Sequence, residues 1–401
     1  MALEHGWAVV VPCMQPTGKN PQEAVGWGAK ENRRGNSNPA LSFFPVVSLR
    51  VPLMSAIRMI PSQLLRTAGV RTKLPVMSRA ISFSSAAFKF KHWEAPDRPK
   101  NNPEDMPTNP GPNPNPSNIG VNAVLNLCPE SLDKHTTSIF AEFSLEGKTA
   151  VVTGGNRGLG LEMALAFVEA GAHVYVIDRA KEPCEDFKKV AKHCHQLDRQ
   201  IEFITADVTN AEEMNEAMQY IEKDSSTGTV DVCVANAGIM QSYPAMDYPV
   251  DDFRKVLEVN TVGVFITAQA AARVMRNNPN VSGSIILTAS MSGTVVNRDQ
   301  SWVAYNTSKS AVLQLGRNLA AEWGPYNIRV NTLSPGYFRT SLVASQLDAD
   351  PGMLKRWSDA NPMNRIGLPH ELRGVVVWLA SNASSFCNGS DIIVSGGHTI
   401  W

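Results

Sequence analysis

After Leu145 the chain alternates short apolar runs with stretches whose apolar residues recur every three or four positions. KTAVVT, HVYVID, IEFITA, VDVCVAN, GSIILTAS, IRVNTLSP and DIIVSGG read as seven strands, most of them uninterrupted as expected for strands buried on both faces. Between them, segments such as GLEMALAFVEAGA and AVLQLGRNLAAEWG carry apolar residues at helical spacing with Gly near the end. Strands alternating with helices imply right-handed crossovers and an open parallel sheet. The expectation is one α/β domain over residues 141–401, a doubly wound seven-stranded parallel sheet with helices on both faces.

The preceding residues have neither period. Ala95 to Gly120 holds eight prolines and many Asn, which oppose helix and ladder alike, so residues 95–140 are expected to be a disordered linker. Residues 1–94 read as an N-terminal extension carrying an address. From Met54 the text MSAIRMIPSQLLRTAGVRTKLPVMSRAISFSSAAFKF is Arg-rich, Ser-rich and acid-free, the composition of a mitochondrial transit peptide. RAISFS, Arg79 to Ser84, has the Arg-x-apolar-x-x-Ser pattern of matrix processing sites. The alternative is a basic tail without an import role and a cytoplasmic protein. MALEHGWAVV does not look like a presequence, and translation from Met54 would account for that.

Composition narrows the classes. With 43% apolar and 18% charged residues the chain is globular in type. Its formal charge of zero hides a segregation: ten Lys or Arg and no acid lie between Asn32 and Trp93, and the remainder after Trp93 has 25 basic against 34 acidic residues. A mildly acidic body argues against a nucleic-acid partner. The apolar run from Phe43 to Pro61 is broken by Arg50, Arg58 and three prolines, so no membrane span is expected. Six scattered cysteines without CxxC spacing suggest neither disulfide scaffold nor zinc ribbon. HCH at His193 to His195 is not read as a metal site, because neighbours on a helix point in different directions.

The first strand ends in TGGNRGLG, Thr153 to Gly160, and runs directly into a helix. Gly154, Gly158 and Gly160 permit a tight turn and close backbone approach, so that a pyrophosphate can sit on the helix N-terminal amides. A simple connecting loop would use glycine too. The context favours the dinucleotide: Asp178 ends the second strand 18 residues beyond Gly160, placed to accept hydrogen bonds from an adenosine ribose. Far along the chain, Tyr305 and Lys309 stand four apart in a helical stretch and so share a face. Most such pairs coat a surface. Beside a nucleotide cleft, however, a cation can depress a phenol's pKa and make it an acid/base group.

The Gly-x-x-x-Gly-x-Gly spacing with Tyr-x-x-x-Lys about 150 residues on resembles the short-chain dehydrogenase/reductase family. Further motifs occur in the family's order: ADV (Ala206 to Val208), ANAG (Ala235 to Gly238), Asn260 in LEVNTVG, Ser290 in LTASMSG, YNTSK and SPGYFRT (Ser334 to Thr340). ANAG departs from the commoner NNAG but keeps the inner Asn236. The resemblance covers nearly all of residues 145–401 and implies a Rossmann-type fold and NAD(H) or NADP(H) as cofactor.

By that resemblance Tyr305 is the general acid/base, Ser290 bonds the substrate oxygen, Lys309 assists the phenol and the nicotinamide ribose, and Asn260 positions a water that relays protons from Lys309. The cofactor would meet Gly154, Asn156, Arg157, Gly158, Leu159, Gly160, Asp178, Arg179, Asp207, Val208, Asn236, Ala237, Gly238, Tyr305, Lys309, Pro335, Gly336 and Thr340. Asp178 opposes a 2′-phosphate and tilts the reading to NAD(H), while Arg157 and Arg179 are placed to hold one. No metal is implied.

Tyr337 to Glu371 is expected to be a mobile lid, with Met240 to Met246 and Met291 to Gln300 as pocket walls. Gln241, Ser242, Asn297, Arg298 and Gln300 give those walls a polar character suited to a polyhydroxylated substrate. FSLEGKTAVVTGG and the terminal SGGHTIW look most like the fungal polyol branch of the family, the arabinitol, mannitol, sorbose and xylulose oxidoreductases. That likeness implies interconversion of a sugar alcohol and its ketose. The alternatives are reduction of another carbonyl, such as a 3-oxoacyl thioester or a secondary-metabolite ketone, and a non-catalytic nicotinamide-binding module. In this family the helices corresponding to Val250–Arg276 and Trp302–Trp323 pair across a twofold axis, which implies a homotetramer or homodimer.

Overall fold

A computed structural model describes residues 120–121, 139–278, 282–340, 343–344, 347 and 350–401. The targeting segment and most of the expected linker lie outside the described residues. The strands are β1 (Thr149–Thr153), β2 (His173–Asp178), β3 (Ile201–Thr205), β4 (Val232–Ala235), β5 (Gly283–Thr288), β6 (Ile328–Pro335) and β7 (Asp391–Val394). The helices that carry the argument are α1 (Gly158–Glu169), α2 (Glu185–Gln196), α3 (Ala211–Asp224), α4 (Val250–Leu257), α5 (Gly263–Asn277), α6 (Val303–Trp323), α7 (Pro351–Asp359) and α8 (Arg373–Ala380).

All seven strands are parallel, in the order β3-β2-β1-β4-β5-β6-β7. Alternate residues of a strand face opposite sides, and the sheet divides its core accordingly. Val151, Tyr175, Cys233, Ile285 and Val330 pack with α3, α5 and α6, while Ala150, Val152, Val176, Val234 and Ile286 pack with α1 and α8. Strands β1, β4, β5 and β6 are buried throughout, whereas β3 and β7, at the edges, are partly exposed. The order of winding reverses between β1 and β4, and ligands of open α/β sheets bind beyond the strand ends at such a reversal.

Two local features depart from the sequence pattern. Strand β6 is wholly buried yet polar at Arg329, Asn331, Thr332 and Ser334. The guanidinium of Arg329 is satisfied by donating to Leu379 O (2.8 Å) and Ser381 O (3.3 Å) at the C-terminus of α8, and Asn331 Nδ2 donates to Cys387 O at 2.7 Å. Leu379 O, in the last turn of α8, has no helical partner and needs such donors. The second departure is in Val250–Arg276, expected as one long helix: a π-helical turn, Glu258–Val262, separates α4 from α5. Such a turn inserts a residue and re-aims side chains, and Asn260 is the one it turns inward, fully buried.

The HCH run lies on α2, where Cys194 enters the core while His193 and His195 are exposed. No helix among the described residues is long and apolar enough to cross a membrane.

Candidate active site

The glycine loop leaves β1 at the reversal. Gly154 has φ +64° and passes so close to the turn after β4 that a Cβ there would lie 2.8 Å from Ala237 Cα. A Cβ on Gly160 would lie 2.3 Å from Gly154 O, so the first turn of α1 presses directly on the loop. The residue preceding α1, Arg157, is extended and makes no side-chain cap. The first amides of α1 are therefore left for an anion, as helix N-termini are when uncapped. Leu159, in that turn, is partly buried.

Several predicted contacts prove to hold the cradle itself. Asn156 Oδ1 accepts from Cys184 N at 2.8 Å and its carbonyl accepts from Cys184 Sγ at 2.9 Å, joining the loop to the segment after β2. Asn236 Nδ2 donates to Thr153 O (3.0 Å) and Gly154 O (3.2 Å), and Thr153 Oγ1 accepts from the amides of Asn236 and Ala237. Asp207 folds its own turn, Oδ1 accepting from Thr209 N and Oγ1 at 2.9 and 2.8 Å, with Val208 buried beside it. Asp178 Oδ1 accepts from Ala180 N at 3.2 Å, which sets the carboxylate at the tip of β2. Arg179, the next residue, and Arg157, on the glycine loop, are exposed. Uncapped amides, a glycine cradle and an acid at the tip of β2 fit a nicotinamide dinucleotide.

The chemical groups gather beyond β5. Ser290 follows that strand in extended conformation; its Oγ accepts from Ser292 N at 3.1 Å and bonds the Tyr305 hydroxyl. Tyr305 and Lys309 share the inner face of α6, with Lys309 Nζ 5.8 Å from the phenol ring centroid. That ammonium is buried, 3% exposed, and donates to Thr288 O at 2.7 Å. Asn260 is bound on both sides: Nδ2 donates to Ile239 O (2.9 Å) and Ser308 Oγ (3.0 Å), and Oδ1 accepts from Ile239 N (2.8 Å). A Cβ on Gly238 would lie 3.2 Å from Asn260 Oδ1 and 3.7 Å from Lys309 Nζ, so the missing side chain keeps a small space open between the two groups.

The electrostatics differ from the sequence expectation. A lysine one turn away was expected to depress the phenol's pKa, but burial raises that of Tyr305, with the Ser290 hydrogen bond opposing it. Burial also pushes Lys309 down to about 8. In the protein alone desolvation wins because the ammonium addresses a carbonyl rather than the phenol. Both groups lean to neutrality.

Pro335 ends β6; Gly336 touches the far end of the sheet, where a Cβ would lie 2.7 Å from Ser395 Cα. Thr340 Oγ1 accepts from Val343 N at 3.3 Å, so it caps the residues that follow.

Parts of both expected wall segments meet along one groove, Tyr243 and Ala245 with Ser292 to Val296 and Gln300, while Tyr305 itself has aromatic neighbours that the sequence does not group together. Trp302, Tyr337 and Trp357 surround it with edge contacts of 6.4 Å (Trp302 to Tyr305) and a parallel stack of 4.1 Å (Tyr337 to Trp357). His398 meets Tyr337 edge-on at 5.3 Å. Asn297, expected in the pocket wall, is buried behind these rings, donating to Tyr337 Oη at 2.9 Å and accepting from Asn306 Nδ2 at 3.2 Å. Ser242 and Arg298 face solvent. Each ring stands in a different segment, so aromatic content was visible in the sequence but convergence was not. A groove of about 470 Å³, lined in part by Thr294, Val296, Val303, Asn306 and Ser310, runs along the opposite face of α6 from Tyr305.

Known proteins resemble this arrangement. A family model described as enoyl-(acyl carrier protein) reductase matches residues 154–399. The sorbose reductase sou1 of Schizosaccharomyces pombe is 39% identical over 257 residues, covering 64% of this chain and 97% of that protein. A ribulose-forming D-arabinitol 2-dehydrogenase of Candida tropicalis is 35% identical over 275 residues, covering 66% of this chain and 96% of its own. Among solved structures, a gluconate 5-dehydrogenase from Burkholderia cenocepacia in complex with NADP and tartrate has a TM-score of 0.60 at 32% identity, covering 66% of this chain and 99% of that one.

Proposed function

The chain belongs to the short-chain dehydrogenase/reductase family and is an NAD(P)-dependent oxidoreductase of secondary alcohols and ketones; on that premise we propose that it interconverts a sugar alcohol and its ketose. The observation that carries the reading is the meeting of Ser290, Tyr305 and Lys309 beside the glycine cradle. The bound dinucleotide would exchange a hydride with the carbinol carbon. Ser290 and Tyr305 hold the substrate oxygen, and the phenol takes its proton in oxidation or returns it in reduction. With its pKa raised by burial, Tyr305 holds its proton at neutral pH, ready to be given to a ketone oxygen, and must lose it before it can act as the base in oxidation.

For the cofactor form, the fixed Asp178 supports NAD(H), with Arg157 and Arg179 leaving NADP(H) as a second choice. Turnover at equal low concentrations of the two decides between them. For assembly, the apolar residues exposed on α4 and α6, Val250 at 62% and Val303 at 39%, support a homodimer or homotetramer, to be tested by sedimentation. The acid-free residues from Met54 onward support import into the mitochondrial matrix, to be tested with a fluorescent fusion.

The aromatic wall favours one competing substrate reading, reduction of a more apolar ketone. A screen of the full chain with C5 and C6 polyols, ketoses and simple β-keto esters separates the two. Activity confined to the keto esters refutes the polyol assignment.

A further inference from the structure

Ser308, between the two residues that mark the site, is fully buried and is bonded in both directions. Its hydroxyl donates to Tyr305 O at 2.7 Å and accepts from Asn260 Nδ2 at 3.0 Å. Thr261 Oγ1 adds a bond to Ser308 O at 3.3 Å, so α6 and the π-helical turn are stitched together at this residue. A serine that bonds back along its own helix is a poor helix former, and alanine would suit the backbone better. The compensating feature is Asn260. One amide hydrogen goes to Ile239 O and the other to Ser308, while Oδ1 accepts from Ile239 N at 2.8 Å and also borders the space before Gly238 that Lys309 Nζ lines. An amide can be turned over at little steric cost. The two acceptors on its nitrogen, Ile239 O and Ser308 Oγ, and the one donor on its oxygen, Ile239 N, decide which way it faces.

We propose that Ser308 is a positioning residue for proton transfer, its hydroxyl acting with the Ile239 backbone to fix the Asn260 amide so that the oxygen, not the nitrogen, stands with Lys309 at the space before Gly238. Ser308 keeps its own proton on Tyr305 O throughout and acts only through Asn260. The inference rests on the reading that Asn260 and Lys309 serve the proton path of Tyr305.

The test uses the full chain with D-arabinitol oxidation, L-sorbose reduction and ethyl acetoacetate reduction as probes. Ser308→Ala and the nearly isosteric Ser308→Cys, a weak hydrogen-bonding group, are both expected to lower kcat about tenfold or more while cofactor KM stays within about twofold. Ser308→Cys keeps the packing, so it decides the matter should the alanine variant fail to fold. In an Asn260→Ala background, Ser308→Ala is expected to add less than about twofold, because the two act as one unit. Wild-type kcat in Ser308→Cys, or an equal loss in both backgrounds, overturns the proposal. Full activity of Asn260→Ala instead removes the reading beneath it, and a wild type inactive on all three probes removes both.

Discussion

The two halves of the cleft are built from different materials. Beneath the expected dinucleotide, beyond β1, β2 and β4, the walls are backbone: uncapped amides of α1, glycines without side chains, and the Thr153–Asn236 bonds that clamp the loop. Around Tyr305, beyond β5, β6 and β7, the surroundings are large side chains from separate segments, with Trp302, Tyr337, Trp357 and His398 meeting only after folding. A ligand shared by many enzymes can be held by a short contiguous motif. A ligand particular to one enzyme is met by surfaces that vary independently.

The sharpest break falls between the halves, at the chemistry. Tyr305→Phe is expected to lower kcat by about a hundred- to ten-thousand-fold in either direction without changing cofactor affinity. Turnover within a few fold of wild type counts decisively against the assignment. Next in size is Gly160→Ala, which puts a methyl against Gly154 O. Loss of dinucleotide binding by more than about tenfold, with a stability decrease of about 1–3 kcal/mol in denaturant titration, is expected. An alanine variant that binds cofactor normally would remove the backbone-cradle argument.

The pH profile joins the two halves. Raising a phenol's pKa favours the protonated form, so Tyr305 can donate a proton at neutral pH but accept one only as pH rises. Oxidation should therefore climb toward alkaline pH, by at most about tenfold per unit, and reduction should decline as the phenol ionises. Oxidation that falls from neutral to alkaline pH contradicts the sign.

The substrate half responds more mildly. Asn297→Ala frees the Tyr337 hydroxyl and is expected to remove about 1–2 kcal/mol of stability, raising substrate KM but not cofactor KM. Equal changes in both KM values would mean that the wall does not separate the two functions. The smallest shift belongs to Asp178→Ala, for which the NADP(H)-to-NAD(H) preference should rise about tenfold or less in paired initial-rate assays.

Legibility followed the same division. The strands were read to within one or two residues over most of their length, because a parallel sheet covered on both faces demands continuous apolar runs. TGGNRGLG declared its geometry because turn, close approach and helix start are local demands on consecutive residues. The Tyr305–Lys309 spacing gave their common helix face but not the electrostatic balance, since desolvation depends on everything packed around α6. Likewise LEVNTVG reads as ordinary helix, and the π-turn that buries Asn260 arises from its bonds to Ile239, far along the chain.

By itself, then, the amino-acid order determined the parallel sheet, the glycine turn into α1 and the shared helix face of Tyr305 and Lys309, all of which depend on period or on neighbours a few residues apart. Tertiary structure decided which way Asn260 faces, how far burial outweighs Lys309 at the phenol, and that aromatic rings gather beside Tyr305. Those outcomes depend on contacts between residues tens to hundreds of positions apart, and on water excluded by the whole fold, which no local pattern encodes.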